Sequence, residues 1–293
     1  MFERCLVCTD FSDGLHRLIH FVPELAASGC QQIVFVHTVP FWDEWGVPRV
    51  DHEKIDQART RLLAATMDCP ADTEVQIEVV SGKPTETIPK LVAHYHSQVV
   101  MLGTPTRSLA QETIFGSTTV GLTRSLTQPL MILRPQLIST YTREELSLRC
   151  QHLWRYLLIP YNGSEAAQYL IQELKTILPQ NDQQRLQACL LVWVITESGG
   201  RREFRYEVEE QMAQEKLADV QAELEAYGLQ VETVVRSGDP MDELNDVALE
   251  FDISAIATAY VSRGALMDWT APSFANEILR HSWFPVLFFS PQE

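Results

Sequence analysis

Short runs of consecutive apolar residues alternate along this chain with longer stretches in which apolar residues recur every third or fourth position. In the first half the runs are Leu6 to Thr9, Ile33 to Val36, Val75 to Val80, Val99 to Leu102 and Leu130 to Leu133. Runs this short predict strands, and the near-continuous apolar character of the last two predicts strands covered on both faces. Between the first two runs, Leu15, Leu18, Ile19, Val22 and Leu25 keep the spacing of one amphipathic helix. The second half has the same rhythm in Leu157 to Ile159, Leu190 to Ile195, Val231 to Val235, Ser254 to Thr258 and Val286 to Phe289. A long helix rich in Glu, Gln and Ala is expected from about Glu203 to Tyr227. Alternating β and α segments predict a parallel, doubly wound sheet.

The halves share landmarks as well as rhythm. Gly82-Lys83-Pro84 and Gly238-Asp239-Pro240 follow corresponding strands 156 residues apart, and Pro129 and Pro285, each opening an apolar run, keep the same separation. The openings, Cys5 to Asp10 and Leu157 to Asn162, lie 152 apart. Three landmarks in one order at near-constant spacing mark a duplication. The fold class that follows is α/β: two tandem Rossmann-like domains, each a five-stranded parallel sheet flanked by helices, over residues 1–139 and 151–293. The linker falls at 140–150, where Thr142-Arg143-Glu144-Glu145 has the pattern of a capped helix start.

Composition narrows the function. With 293 residues, 45% hydrophobic and 21% charged, the chain suits two ordinary globular domains, each with its own core. A net charge of −16 argues against nucleic acid and against an anionic membrane surface. No apolar run approaches the ~20 residues of a membrane span, and Met1 to Val7 lacks the layout of a signal peptide, so a cytoplasmic protein is expected. Its six cysteines are then expected to be reduced. Cys5 and Cys8 form a C-x-x-C, but inside a strand, where residues three apart face opposite ways. No second pair has zinc-site spacing, so buried thiols are expected and no metal site.

In open α/β sheets ligands bind beyond the carboxyl ends of the strands, where strand order reverses. The residues just after the first strand are Thr9-Asp10-Phe11-Ser12-Asp13. After the fourth come Gly103-Thr104-Pro105-Thr106-Arg107, and Gly116-Ser117-Thr118 then opens a helix pattern. Glycines admit a ligand close to the backbone, and a helix start with hydroxyls suits a phosphate. Arg107 adds a cation and Asp10 an acceptor for a ribose or base. Taken singly, Gly103 is equally a strand-end turn and Ser117 an N-cap.

Thr9-Asp10-Phe11-Ser12, the Gly82-x-Pro84 turn and the stretch from Gly103 to Ser117 that closes on Gln128-Pro129-Leu130 together resemble the universal stress protein domain. The resemblance covers nearly the whole chain, twice, and implies an adenine nucleotide alpha-hydrolase-like fold and a stress-response or regulatory role. ATP-binding members carry G-x2-G-x9-G-[S/T]; Gly103, Thr106, Gly116 and Ser117 stand at those positions, with threonine for the second glycine, and Pro105 removes one backbone donor. The resemblance thus implies ATP or a related adenine nucleotide, with Mg2+ as companion ion, in the first domain only. Its contacts would be Thr9, Asp10, Thr38, Gly103, Thr106, Arg107, Gly116, Ser117 and Thr118. In the second copy the motif positions fall on Ala259, Ser262, Pro272 and Ser273, and Asn162 replaces Asp10. That copy is expected to be a structural partner, with Met267 and Trp269 filling its pocket or meeting something apolar. Resembling proteins also pair their last strands, which would make Pro129 to Leu133 and Pro285 to Phe289 an intrachain pseudo-dimer interface and leaves homodimers open.

No nucleophile, base and orienting acid converge in the sequence, so no catalysis is expected beyond slow ATP hydrolysis or self-phosphorylation at Ser117 or Thr118. Gly-x-x-x-x-Gly-Lys and Gly-x-Gly-x-x-Gly do not occur, and Ser198-Gly199-Gly200 lacks the Asp and Ser of a pyrophosphate loop. His37 reads as a hydrogen-bonded structural histidine. The rival to nucleotide binding is a nucleotide-independent protein interaction module. Its best candidate surface is Phe41 to Pro48, a loop whose Trp42 and Trp45 either meet an unknown protein partner or fold back as a lid.

Overall fold

The computed structural model describes residues 1–12, 14–45, 47–103, 117–180, 185–196, 202–261 and 273–291. It divides into two compact units, Phe2–Gln151 and His152–Pro291. The first contains β1 (Arg4–Cys8), α1 (Val22–Ala27), β2 (Gln32–Val39), β3 (Trp42–Glu44), β4 (Val47–Arg49), α2 (His52–Leu62), β5 (Glu74–Ser81) and α3 (Pro84–Tyr95). It continues with β6 (Val99–Gly103), α4 (Ser117–Thr123), β7 (Leu130–Leu133), α5 (Pro135–Thr140) and α6 (Arg143–Gln151). Its main sheet runs β7-β6-β1-β2-β5, with every neighbouring pair parallel. Val7 of β1 lies opposite Phe35 on one side and Met101 on the other, all fully buried. Burial of such side chains stabilises by roughly 1.5–3 kcal/mol each, which is why the central apolar runs become strands whatever their local propensity. β7 is buried throughout, whereas in the edge strand β5 Val79 alone is buried.

The second unit contains β8 (Tyr156–Pro160), α7 (Glu165–Ile177), β9 (Ala188–Ile195), α8 (Arg202–Glu225), β10 (Gln230–Ser237), α9 (Pro240–Glu250), β11 (Ala255–Ala259), α10 (Phe274–His281) and β12 (Val286–Phe289). Its strand order is β10-β9-β8-β11-β12, again all parallel. The duplication reaches single hydrogen bonds. Gly82 N donates to Val39 O at 3.0 Å and Gly238 N to Ile195 O at 3.1 Å; Val100 N donates to Pro129 O at 3.1 Å and Ile256 N to Pro285 O at 2.9 Å. His96 and Asp252, also 156 apart, both take a left-handed conformation near φ +50 where helices α3 and α9 give way to strands.

Three local expectations are corrected or refined. The single helix expected from Leu15 to Leu25 is a 3-10 helix, Leu15–His20, followed by α1, because Pro23 in the first turn of α1 has no N–H with which to continue the preceding turn. The segment from Phe41 to Pro48 is not a loop but an antiparallel hairpin, β3 against β4. The capped start at Thr142 is a reciprocal capping box: Thr142 N donates to Glu145 Oε2 at 2.8 Å and Glu145 N to Thr142 Oγ1 at 3.2 Å. The helix it begins, α6, packs on α1 with Leu146 and Cys150 buried, and Ser147 Oγ donates to Glu24 at 2.9 Å.

Cys5 and Cys8 are both buried; the Cys5 thiol meets Cys30 Sγ at 2.9 Å, and burial pushes its pKa well above the ordinary thiol value. Among the described residues no group of three or more His, Cys, Asp or Glu side chains is arranged to hold a metal ion, and no helix is long and apolar enough to cross a membrane.

Candidate functional site

The chain leaves β1, builds outward through β2 and β5, then returns to the opposite side of β1 with β6. The helices after β1 and β6 therefore diverge to opposite faces, and a crevice opens beyond the ends of these two strands. In the first domain it is a cavity of about 100 Å³ lined by Cys8, Thr9, Asp10, Val36, Thr38, Pro84, Ile88, Leu102, Gly103, Thr118 and Thr119. Five of the expected contacts, Thr9, Asp10, Thr38, Gly103 and Thr118, are thus brought together. Ser117 opens α4 beside them, while Thr106, Arg107 and Gly116 lie outside the described residues, as does Pro105. Pattern reading missed Val36, Ile88 and Leu102, which are ordinary strand and helix apolars until the fold turns them into the cavity wall.

The chain after β1 is shaped by its own side chains. Asp10 Oδ1 accepts from Ser12 N at 2.8 Å and from Ser12 Oγ at 2.7 Å, and Thr9 Oγ1 accepts from Phe11 N at 3.0 Å. These bonds fold a tight turn in which Phe11 adopts φ +66, a conformation that costs a bulky residue on the order of 1–3 kcal/mol. Two contacts offset that cost. The Arg61 guanidinium from α2 lies 3.9 Å from the Phe11 ring centroid, and the His37 ring lies 4.4 Å away. No sequence signal links Arg61 to Phe11, so this clamp was invisible before the fold.

His37 Nδ1–H donates to the Thr9 carbonyl at 2.8 Å, tying β2 to the end of β1. Burial lowers the His37 pKa, with Arg61 adding to the effect and the Thr9 bond and Asp10 opposing it; burial and then Arg61 and Arg17 lower that of His16. Both histidines therefore titrate below the ~6.5 of an unfolded chain. As pH falls through 6.5 the unfolded state takes up protons that the native state refuses, so stability declines on acidification. Melting temperatures between pH 7.5 and pH 5 should drop less steeply for His37→Gln than for the wild type. Parallel pH profiles would show that His37 carries no such linkage.

The second domain has a crevice at the corresponding place. Asn162 Oδ1 accepts from Ser164 N at 3.0 Å, the same turn that Asp10 makes. The cavity holds about 600 Å³, and its walls include Pro160, Tyr161, Val192, Val194, Ala259 and Phe274. The residues expected to fill this copy's pocket or to meet something apolar, Met267 and Trp269, lie outside the described residues, as do Ser262, Pro272 and Ser198 to Gly200.

Comparison with known proteins agrees with this duplicated geometry. A universal stress protein from Archaeoglobus fulgidus is similar over 98% of this chain and 98% of its own, with 15% identity and a TM-score of 0.63. A functionally unknown protein from Pseudomonas aeruginosa is similar over 99% of this chain and 93% of its own, with 12% identity and a TM-score of 0.57. At such identities the likeness concerns the fold alone. No curated protein matches the chain. The model of the universal stress protein family matches residues 1–134 and again 154–290, one match for each five-stranded unit. Two copies of one domain, each with its crevice at the same strand reversal and each matched by the same family, establish that the chain belongs to the universal stress protein family.

Proposed function

We propose that this protein is a cytoplasmic regulatory protein that binds an adenine nucleotide, ATP or a close relative, through its first domain. The observation that carries the reading is the lining of the first crevice. A carboxylate and the hydroxyl-bearing Thr9, Thr38, Thr118 and Thr119 surround a slot walled by Val36, Ile88 and Leu102. An apolar slot with polar groups at its edge suits a flat base with hydrogen-bonding atoms on its rim. The cavity of about 100 Å³ holds one such ring and not a whole nucleotide, so sugar and phosphates extend toward Gly103 and the start of α4. That is the direction in which the family's phosphate-binding motif runs. Asp10 is the one acidic residue among the described lining residues and would meet ribose hydroxyls or, with ATP, Mg2+.

Calorimetric titration of the full chain with ATP, ADP and AMP, with and without Mg2+, tests the proposal. One nucleotide should bind per chain, and Asp10→Ala should weaken it about tenfold or more, the worth of a hydrogen bond to a charged group. Asn162→Ala should leave the affinity unchanged. Two equivalents of nucleotide, or a loss confined to Asn162→Ala, would sink the assignment to the first domain.

One observation favours a second, compatible role. Trp45 at the tip of the β3–β4 hairpin is 97% exposed, Phe41 is 50% and Trp42 42% exposed. Trp45 in particular is not folded back on the domain. Exposed aromatics on a two-stranded ribbon, itself marginal alone, suit a protein partner.

A further inference from the structure

We propose that the cleft of the second domain binds an uncharged, mainly apolar small molecule and turns away phosphorylated ligands. This goes beyond the nucleotide reading, which concerns the other domain. Position by position the two clefts correspond, and the second exchanges a carboxylate and three threonine hydroxyls for an amide and apolar groups, while Thr258 stands where the first has Leu102. Asp10 becomes Asn162, Thr38 becomes Val194, Thr118 becomes Phe274 and Thr119 becomes Ala275. The cavity is also about six times larger, about 600 against 100 Å³. That is within the range of roughly 300–1,000 Å³ typical of small-molecule sites.

Charge points the same way. No lysine or arginine stands among the described lining residues, and Glu277 does. Glu277 lies in the first turn of α10, where its negative charge opposes the positive end of the helix dipole. Ser273 Oγ already accepts from Asn276 N at 3.2 Å, Ser164 Oγ from Ala167 N at 3.3 Å and Asp239 Oδ1 from Met241 N at 2.9 Å, so the three helix starts facing the cleft are capped by their own side chains. Lys216 of α8 sits over Trp193 with its Nζ beside Gly163, at the rim of the cleft and not among its described lining residues. Glu223 and Asp219, also on α8, act on Tyr161, whose phenol burial and these carboxylates push up. Among the described lining residues a phosphate meets Glu277 and no lysine or arginine. An apolar body loses little and gains contact with Val192, Val194, Leu170 and Phe274, while Asn162, Thr258 and Thr196 supply a few hydrogen bonds that fix its orientation.

The test uses the full chain and the uncharged dye Nile red, followed by fluorescence. Nile red should bind once per chain and should stay bound when ATP is added to saturation. Ala166→Phe, which projects into the cleft from the half-buried face of α7, should weaken it tenfold or more. Val261→Trp, from the opposite wall, should do the same should the first variant fail to fold. Glu277→Lys should raise affinity for the anionic dye anilinonaphthalene sulfonate fivefold or more. Three results overturn the proposal: no Nile red binding, displacement of Nile red by ATP, or a loss caused by Trp45→Ser and not by the cleft variants. The first and third leave nucleotide binding by the first domain untouched, whereas displacement by ATP moves the nucleotide to the second.

Discussion

Gly121→Val should lower the stability of the first domain by about 3 kcal/mol, the upper part of the usual range for overpacking. A Cβ at Gly121 would collide with the Thr85 Cγ2 methyl and come within 3.3 Å of Thr85 Cβ. Thr85 follows Pro84 in the first turn of α3, and a β-branched side chain there has little rotamer freedom with which to retreat. Two helices thus approach at a point where only hydrogen fits, and the cost of glycine in a helix, about 1 kcal/mol relative to alanine, is accepted for that contact. For a domain of this size the loss corresponds to a fall in melting temperature of about 10 °C. Gly121→Ala should show a smaller loss despite alanine's better helix propensity, and Thr85→Ala in the same chain should recover most of it. The two changes would then be coupled by about 1 kcal/mol or more. Strict additivity in the double-mutant cycle would show that the close approach contributes nothing. Because Thr118 and Thr119 of α4 and Pro84 and Ile88 of α3 share the cavity wall, the single variants should also weaken nucleotide binding, and the double variant should restore it.

The strands and the duplication were legible because they depend on burial, which apolar runs record directly. Leu130 to Leu133 and Val286 to Phe289 are buried at every residue and were unmistakable as runs. The capping box at Thr142 was legible for a related reason, since a local hydrogen-bond exchange needs only residues three apart. The β3–β4 hairpin was not, because Trp42 and all of β4 are exposed and leave no alternation of apolar and polar positions. The break at Pro23 was overridden in pattern reading by a helical spacing that two successive short helices satisfy equally well.

The site divided along the same line. Asp10, Gly103 and Thr118 could be placed because they follow strands or open a helix at the strand reversal, a rule of topology rather than of contact. Phe11, Arg61 and His37 form one stack across three elements, and nothing in their separate neighbourhoods announces it. The size of the second cleft was the hardest feature to foresee. Exchanging Asp10 for Asn162 and Thr38 for Val194 signals lost polarity, and such a signal is the same for a filled cleft as for an open one. Volume is a sum over every wall at once.

The duplication also supplies its own control for what glycine does at the turn before α3 and α9. Gly82 stands at φ +140 and Gly238 at φ +156, conformations that other residues reach only at a cost of about 1–3 kcal/mol. A Cβ on Gly82 would in addition come within 2.9 Å of Thr87 Cγ2, a stiff methyl whose neighbouring hydroxyl is bonded to the Lys83 carbonyl at 2.9 Å. A Cβ on Gly238 would approach the Glu243 Oε1 at 2.7 Å, the far end of a flexible side chain that can swing into water. Gly228, at φ +82 after α8, has nothing within 4 Å of such a Cβ. Alanine should therefore cost about 3 kcal/mol at Gly82, about 2 at Gly238 and about 1 at Gly228, the last being left-handed strain alone. Urea midpoints of the three variants should fall in that order. Adding Thr87→Ala to Gly82→Ala should return the steric part and leave the strain, bringing that variant level with Gly238→Ala. Equal losses at all three glycines would mean that backbone conformation alone sets the cost and that the packing of α3 against its own turn adds nothing.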